Sequence, residues 1–374
     1  MDTDIRSRTA LPSVRRYFAH LDATAGWLQR SIFHGRGGSC AHFSHVAGWS
    51  KPYPETTGYL IPTLLHLHSL FPARCLHQDA LATGRWLLSI QGREGSWAGG
   101  LHPPRGNGRP SIFNTGQILK GMIALYNFTE DQEWLDAATR GAAWLARGVG
   151  NNGLWEGGDY RAQDTPSYYT HVVWPMLEVW SCAGDDKVRD AAVSVLDRIV
   201  DRRLPNGVIQ GWGFAEDEPA FTHTIAYTLR GILESARLLN AWDRYSHAAV
   251  PALEVLIRRS ELAGGRLPGA FDANWQRDGN YVCLTGNAQV AICVLLMESR
   301  SPDLRLVSAA ARMVDYVCST QRLRSPVAGV RGAVAGSAPV WGPYMRLRYP
   351  NWAAKYLCDA LLRLIERVER EAVA

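Results

Sequence analysis

The sequence predicts an all-α protein of six helical hairpins, in which one helix of each hairpin lies in an inner ring and the other in an outer ring. An internal repeat is the first observation, because similar short segments open six apolar stretches at intervals of about 55 to 65 residues. Composition is the second, since 374 residues with 47% apolar content can bury the large core of a closed ring. We therefore interpret residues 1–374 as one domain, with residues 1–12 as a flexible N-terminal tail.

The outer helices are predicted from apolar residues on one side only. In the third of them Trp134, Ala138 and Leu145 belong to a pattern at i, i+3, i+4 and i+7. Several open with Asp, which accepts hydrogen bonds from the free amides of a first turn. In chain order the predicted outer helices are Val14–Ser31, His77–Gln91, Asp131–Arg147, Asp185–Arg203, Asp243–Arg259 and Pro302–Gln321.

The inner helices are predicted from stretches that are apolar on almost all sides, as in residues 118–125. Helices that touch neighbours all round have this composition. They begin at Thr57-Gly58-Tyr59, Thr115-Gly116-Gln117, Thr170-His171, His223-Thr224, Thr285-Gly286-Asn287 and Asn351-Trp352.

A glycine-rich turn and an aromatic residue follow each outer helix, as in Gly95-Ser96-Trp97 and Gly153-Leu154-Trp155. Glycine allows the positive φ angles of such turns. A long loop then leads into the inner helix, whereas the returns to the next outer helix are short and polar. All long loops therefore emerge at one end of the ring, where we expect the functional site.

Six such hairpins resemble the (α/α)6 toroid. Its sugar-active members include unsaturated glucuronyl hydrolases, N-acylglucosamine 2-epimerases and glucuronyl C5-epimerases. The segments Tyr53-Pro54-Glu55-Thr56-Thr57-Gly58-Tyr59 and Tyr349-Pro350-Asn351-Trp352-Ala353-Ala354-Lys355 are similar to those of uncharacterised toroid proteins encoded in bacterial polysaccharide gene clusters. The resemblance implies a carbohydrate-active enzyme that catalyses hydrolysis, elimination or epimerisation on a sugar or uronic acid.

Two alternatives remain open. Gln91-x-x-x-Gly95-x-Trp97 matches the repeat of squalene-type cyclases, so an isoprenoid cyclase or transferase is one, although the acidic D-x-D-D cluster of those cyclases is absent. The other is a non-catalytic protein of polysaccharide binding or assembly, which would keep the cleft without a working acid/base pair.

Four acidic residues are candidates for catalysis. Glu55, at the start of the first inner helix, either faces the central cavity or caps the helix. Asp159 has no capping explanation, and in glucuronyl hydrolases an Asp in a comparable loop acts as general acid/base. Glu216 and Asp217 lie beside aromatic residues, in a loop that is either part of the site or simply solvated.

His171 and His223 occupy equivalent places at the starts of successive inner helices and should lie near one another. Epimerases of this fold use paired histidines as acid and base, and imidazoles that titrate near neutral pH suit that task. The alternative is that both cap helices beneath loop aromatics.

Sugar binding calls for aromatic faces against the ring and polar groups for the hydroxyls. Asp272 is a candidate for hydroxyl groups and Arg348 for a carboxylate or phosphate. The aromatic candidates are Tyr53, Trp97, Trp155, Tyr168, Trp212 and Trp275.

Other classes of partner are not indicated. The formal net charge is only +5 and is not gathered into basic runs, which argues against nucleic acid. No apolar run approaches about 18 residues, which argues against a membrane span. Seven scattered cysteines and the absence of a signal peptide favour a reducing, cytoplasmic location.

No motif for a phosphate-bearing cofactor is present, so no cofactor is expected. The first loop gathers His34, Cys40, His42 and His45, but the Cys40-x-His42 spacing is too short for a usual zinc site, so we predict no metal here and leave the question open. The substrate, the linkage and the oligomeric state also stay open.

Overall fold

Twelve α-helices dominate this computed structural model, which describes residues 12–104, 106, 108–156, 165–215 and 218–373. Even-numbered helices form the inner ring and odd-numbered helices the outer ring. In chain order they are α1 (Pro12–Gly35), α2 (Pro54–Leu70), α3 (Leu76–Ser89), α4 (Ile112–Thr129), α5 (Gln132–Arg147), α6 (Thr170–Ala183), α7 (Asp186–Val200), α8 (Thr222–Leu238), α9 (Trp242–Leu262), α10 (Leu284–Glu298), α11 (Leu304–Thr320) and α12 (Asn351–Val373).

The inner ring is closed. Each even-numbered helix contacts the next, and α12 contacts α2. Every inner helix also packs on the outer helix that follows it, from α2 on α3 to α10 on α11, and α12 completes the series by packing on α1. The predicted all-α ring of six hairpins is confirmed, and its sixth hairpin is made from the two ends of the chain.

The outer helices begin where aspartate can satisfy their free amides. The side chain of Asp131 accepts a hydrogen bond from the Glu133 amide at 3.1 Å, and that of Asp185 accepts one from the Lys187 amide at 3.0 Å. The prediction for the fifth outer helix is slightly wrong, because α9 starts at Trp242, one residue before Asp243. Inner helices are buried over most of their length, and in α10 every residue is buried.

The repeated Thr-Gly segments have two structural tasks. The Thr57 hydroxyl accepts a hydrogen bond from the Ser39 amide and the Thr115 hydroxyl accepts one from the Trp97 amide, so threonine ties each glycine-rich turn to its inner helix. A Cβ on Gly58 would lie 2.5 Å from the Cα of Ile118. The glycine is therefore needed for α2 and α4 to pack backbone against backbone.

Short strands, which are not predicted from the sequence, pair with one another and connect the long loops. Strand β1 pairs antiparallel with β2 and β8, β4 pairs with β3 and β5, and β6 pairs with β7. The strands are β1 (His42–Ser44), β2 (Gly48–Trp49), β3 (Ala220–Phe221), β4 (Ala270–Phe271), β5 (Arg277–Asp278), β6 (Val282–Cys283), β7 (Ser337–Ala338) and β8 (Arg348–Pro350).

The two ends of the ring differ in their connections. Long connections lead into inner helices, as 90–111, 201–221 and 321–350 do, whereas short ones such as 130–131 and 239–241 lead out of them. We call the two ends the long-loop end and the short-loop end. None of the helices in the described ranges combines the length and apolar composition needed to cross a bilayer. All seven cysteines are free thiols.

Candidate functional site

The first turns of the inner helices meet at the long-loop end. Because all six helices point their N-termini this way, their partial positive charges converge on the same region. Glu55, His171 and His223 lie in the first turns of α2, α6 and α8. All three side chains are nearly buried, so each needs a partner or a ligand within the ring.

His223 is a neutral imidazole with a fixed tautomer. Its Nδ1 lies 2.7 Å from Oε1 of Gln289 on the neighbouring helix α10. An amide oxygen only accepts, so Nδ1 carries the proton and Nε2 keeps the lone pair. Burial lowers the pKa of His223 to about 4, although the hydrogen bond to Gln289 acts in the opposite direction. At neutral pH the ring therefore offers a base at Nε2.

The tautomer of His171 depends on Lys120. The imidazole Nδ1 lies 2.7 Å from Nζ of Lys120 and 2.9 Å from Oε1 of Gln117, and Nζ also donates to that oxygen at 2.9 Å. A protonated amine donates to Nδ1 and leaves the N–H of His171 at Nε2, whereas a neutral amine allows Nδ1–H to donate to Gln117. Burial, reinforced by the charges of Arg230 and Lys355, lowers the pKa of Lys120 well below its ordinary value. Nε2 of His171 is buried and has no hydrogen-bond partner within the described structure. Burial, reinforced by the charges of Lys120 and Arg230, lowers the pKa of His171, so this ring is also neutral.

The two imidazoles pack on one tyrosine. The ring centroids of His171 and His223 lie 4.2 Å and 4.3 Å from that of Tyr227. The structure thus places them near one another, as expected from their equivalent positions. Their protonation differs from the expectation, because burial keeps both neutral at pH 7 rather than titrating there.

Glu55 lies among tyrosines. It is 8% exposed, and its charge contributes to the raised pKa values of Tyr59, Tyr227, Tyr344 and Tyr356, for which burial is the main cause. A carboxylate in such surroundings is well placed to accept hydrogen bonds from phenol groups.

An arc of aromatic rings, the aromatic arc, borders the two imidazoles at the long-loop end. Neighbouring members touch edge to face or tilted, with centroid separations of 5.2 to 6.1 Å from Tyr168 through to Tyr344. The Trp352 indole donates to the Tyr344 hydroxyl at 2.8 Å and holds the end of the arc. Its members are Phe113, Tyr168, Phe214, Phe221 and Tyr344.

Four of the predicted aromatic platforms are packed inside instead. Trp97 is 0% and Trp155 2% exposed, and each donates its indole N–H to a main-chain carbonyl of the preceding outer helix, at Leu87 and Leu145. Trp212 and Trp275 are also buried and pack on each other at 5.5 Å. Trp97, Trp155 and Trp275 are therefore packing residues, whereas Trp212 lines a cavity of about 620 Å³ at this end together with Asp272 and Phe271.

The polar binding candidates lie elsewhere on the loops. Asp272 accepts hydrogen bonds from the amides of Asn274 and Gln276, and these bonds stabilise a turn. Arg348 is exposed in β8, and Tyr53 is half-buried just before α2. These positions are separate from the paired imidazoles, and their binding roles stay predictions.

Three of the acidic candidates, Asp159, Glu216 and Asp217, lie outside the described residues. Their roles also stay predictions.

The residues of the first loop have separate partners. His34 stacks on Trp49 with centroids 5.1 Å apart, and His45 Nε2 lies 3.0 Å from the Tyr349 hydroxyl. Burial raises the pKa of the Cys40 thiol to about 11. Across the described part of the chain no three His, Cys, Asp or Glu side chains form a group able to hold a metal ion.

Sequence reasoning missed the partners that set the state of the two imidazoles. Gln117, Lys120, Tyr227 and Gln289 lie inside inner helices. The three hydrogen-bond partners among them, Gln117, Lys120 and Gln289, are each at least 51 residues from the histidine that they contact. A signal was available, because buried amides and amines are unusual in helices that are otherwise apolar on all sides.

The fold is similar to that of sugar-active enzymes. The unsaturated glucuronyl hydrolase of Bacillus sp. GL1, responsible for glycosaminoglycan degradation, superposes with a TM-score of 0.75 at 14% identity, covering 93% of this chain and 96% of that chain. The cellobiose 2-epimerase of Bacillus thermoamylovorans gives 0.75 at 14% identity, with 98% and 100% coverage. That of Spirochaeta thermophila gives 0.73 at 15%, with 96% and 99% coverage.

These neighbours are (α/α)6 toroids, and at such identities they show the fold of this chain alone. No family model matches the sequence, and neither does any curated protein.

Proposed function

We propose that the chain is a carbohydrate-active enzyme that moves protons on a sugar or uronic acid bound at the long-loop end. The observation that carries the proposal is the pair of buried, neutral imidazoles on the ring of Tyr227. Gln289 leaves His223 with a lone pair at Nε2, and a protonated Lys120 would leave His171 with a proton at Nε2. One ring is therefore set to take a proton and the other to give one.

Among the three reactions that the fold class suggests, this pair favours epimerisation. Removing a proton from a carbon next to a carbonyl or carboxyl group, which takes up the electron pair, and returning a proton on the other side requires a base and an acid that differ in protonation. His223 would act as base, and His171 would give up its Nε2 proton while a protonated Lys120 passes one to Nδ1, so that the ring stays neutral and no imidazolate forms. Glu55 would bind hydroxyl groups among the tyrosines. Hydrolysis or elimination would instead draw on Asp159, Glu216 or Asp217.

The surroundings and the similar structures support a sugar ligand. Phe214 and Phe221 of the aromatic arc are half-buried and would offer ring faces to the apolar side of a pyranose, whereas Phe113, Tyr168 and Tyr344 are buried. Two groups of enzymes with this fold are named for uronide and disaccharide substrates, glucuronyl hydrolases and cellobiose 2-epimerases.

The test is incubation of the protein with neutral disaccharides, hexuronides and unsaturated uronides in D₂O, followed by NMR. We expect deuterium at one ring carbon together with a new stereoisomer. The variant His223→Asn should lose roughly two to four orders of magnitude in rate, the usual contribution of a general base. His247→Asn, a matched change at an exposed histidine of α9, should retain full activity.

Other products would replace this proposal. A new reducing end without deuterium would indicate hydrolysis, and an unsaturated uronide product would indicate elimination. Sugar binding without any product, unchanged in His223→Asn, would indicate a non-catalytic binding protein.

An isoprenoid cyclase or transferase is the second candidate, because an aromatic cavity beside a carboxylate is what that class requires. The aromatic arc beside Glu55 fits this description. The buried amides of Gln117 and Gln289 and the two imidazoles make the same region strongly polar, which suits a sugar better than a hydrocarbon chain. Turnover of a prenyl diphosphate in the same panel would reverse this preference.

A further inference from the structure

A second cavity lies at the short-loop end of the ring, on the far side of the inner helices from the paired imidazoles. Its volume is about 360 Å³, within the range of small-molecule sites. Five of the six inner helices line it, and we call it the basin. The side chains that matter below are Lys120, Trp174, Glu178, Arg230, Lys355 and Asp359.

Buried tyrosines separate the basin from the long-loop end. Tyr59, Tyr227 and Tyr356 are almost fully buried, and the ring of Tyr356 lies 5.7 Å from that of Tyr59 and 6.0 Å from that of Tyr227. A ligand in the basin would therefore enter from the short-loop end. It would not compete directly with a ligand at the other end.

Arg230 is the group in the basin whose hydrogen bonds are missing. The residue is 4% exposed, and its Nε and Nη1 donate no hydrogen bond to any described residue. The carboxylates nearest to it are too distant for hydrogen bonds, with Asp359 Oδ2 3.6 Å from Nη1 and Glu234 Oε1 3.8 Å from Nε. Leaving two donors of a buried guanidinium unsatisfied is costly, and an anion in the basin would satisfy them.

The acidic side chains near Arg230 already accept hydrogen bonds from other donors. Asp359 accepts from Lys355 and from the Thr63 hydroxyl. Glu234 accepts from Arg237 at 3.0 Å and from Arg363 at 3.2 Å.

Glu178 accepts from the Trp174 indole at 2.8 Å. These carboxylates already accept hydrogen bonds from other donors. Arg230 is therefore the side chain in the basin that lacks an acceptor.

The basin also concentrates positive charge on one aromatic ring. Lys120 Nζ lies 3.9 Å and the Arg230 guanidinium 4.8 Å from the Trp174 ring. Lys355 lies over the neighbouring Tyr356 at 4.2 Å. These contacts hold three basic side chains around one cavity. Burial, together with their mutual repulsion, lowers the pKa of Lys120 well below its ordinary value and that of Lys355 to about 8, so an anion in the cavity would favour their charged forms.

We propose that the basin binds one small oxyanion-bearing molecule, a phosphate or a carboxylate, with Arg230 as its principal donor and Lys120 and Lys355 as flanking charges. The planar guanidinium matches both oxyanions through paired N–H groups. The volume leaves room for a sugar-sized body attached to the anion.

Isothermal titration in a buffer free of phosphate and sulfate tests the proposal, with inorganic phosphate, glucose 6-phosphate and glucuronate as probes. We expect at least one probe to bind saturably with one site per chain. Comparison of the three distinguishes a phosphate from a carboxylate and a bare anion from a sugar-linked one.

Two variants locate the binding. Arg230→Lys keeps the positive charge but loses the paired N–H groups of the guanidinium, so it should weaken binding about tenfold or more. Arg237→Lys is the matched control on the same helix, since Arg237 also contacts Glu234 but does not line the basin, and it should bind like the wild type.

Ala124→Phe fills the basin without altering any charge, so it gives an answer even where Arg230→Lys fails to fold. We expect it to abolish binding. The proposal is overturned by the absence of saturable binding of all three probes, by equal weakening in Arg230→Lys and Arg237→Lys, or by full binding in Ala124→Phe. His223→Asn should leave the affinity unchanged, so this outcome is independent of the proposed epimerisation.

Discussion

At the scale of single residues, neighbouring side chains decide the tautomers of the two imidazoles and burial decides their charge. Gln289 accepts from His223, whereas Lys120, when protonated, donates to His171, so the two rings then hold different tautomers. Burial then removes the positive charge from both rings. Neutral imidazoles are the consequence, and their effect on stability can be measured.

His223 should make the folded protein sensitive to acid. Its pKa is about 4 in the folded state against an ordinary 6.5, so the unfolded chain takes up a proton that the folded chain refuses between these values. Its contribution to stability is complete above pH 6.5 and is lost as the pH falls towards 4. The loss through this residue is up to about 3 kcal/mol.

Urea unfolding at about pH 7 and about pH 4.5 measures the effect. The stability difference between the two pH values should be smaller in His223→Asn than in the wild type, and unchanged in His247→Asn. An equal difference in all three proteins would show that His223 accepts its proton while folded.

The Thr115 hydroxyl should contribute strongly to the free energy of unfolding. Thr115→Val removes the acceptor of the buried Trp97 amide, so an unsatisfied donor remains in the core. We expect a loss of about 1–3 kcal/mol in the free energy of unfolding. Thr129→Val, at the exposed end of the same helix, should cost under about 0.5 kcal/mol. Similar losses in both variants would contradict the structural task assigned to the repeat.

The candidate residues were partly predictable from the sequence. Glu55, His171 and His223 come together because the repeat places each at the start of an inner helix. Trp97 and Trp155 recur just as regularly, but the same regularity fits a core residue that bonds the preceding helix. Sequence spacing does not reveal which face of a loop a ring presents, and so it could not separate a platform from a packing residue.

At the scale of helices, close approach within the inner ring depends on glycine. A Cβ at Gly58 would meet the Ile118 backbone, and one at Gly286 would lie 2.6 Å from the His223 amide nitrogen. The repeated glycine therefore sets the spacing between neighbouring inner helices. It also fixes the distance between the first turns that hold the candidate site.

Gly58→Ala should destabilise the protein in spite of alanine's better helix propensity. The propensity gain is about 1 kcal/mol, but a methyl group 2.5 Å from a backbone atom requires the helices to move apart. We expect a net loss of about 1–3 kcal/mol by urea unfolding. Gly148→Ala, at an exposed position with φ −78° and its nearest neighbour 3.3 Å away, is the control and should stay close to wild type.

Helix positions were predicted better than helix ends. The prediction for α1 was Val14–Ser31, yet the helix continues to Gly35. That for α7 began at Asp185, the residue whose side chain caps the helix, and ended at Arg203, although the helix closes at Val200. Apolar periodicity defines the middle of a helix, whereas its last turn depends on contacts with loops that the pattern does not contain.

At the scale of the whole molecule, the closed ring makes the sixth hairpin from the first and last helices. Arg16 pairs with Asp315 at 2.8 Å, and Trp27 donates to the Gly329 carbonyl, so α1 is held by the other end of the chain as well. The number of hairpins was readable from the period of the repeat. Closure of the ring could not be predicted, because contacts between α12 and α1 or α2 leave no pattern in the local sequence.

A circular permutant tests this closure. Joining residue 374 to residue 1 and opening the chain between Ser301 and Pro302, in the exposed turn before α11, preserves every helix pair. Since helix connections of about 2–8 residues are common, the tail of residues 1–11 is long enough to serve as the new loop. We expect native helix content by circular dichroism and one cooperative thermal transition.

A second permutant opened inside the buried helix α10 should not fold. If the first one also fails, the two ends of the chain do not lie as the ring requires.

Lys120 contacts both the basin and the candidate site at the long-loop end. Its amine lines the basin, and the same nitrogen bonds His171 beneath the aromatic arc. An anion that favours the protonated amine would thereby strengthen the hydrogen bond that sets the tautomer of His171. Thermodynamic reciprocity then requires that ligands at the two ends change each other's affinity by the same factor. If both proposals hold, a ligand at either end of the ring would change the affinity of the other end through the proton on Lys120.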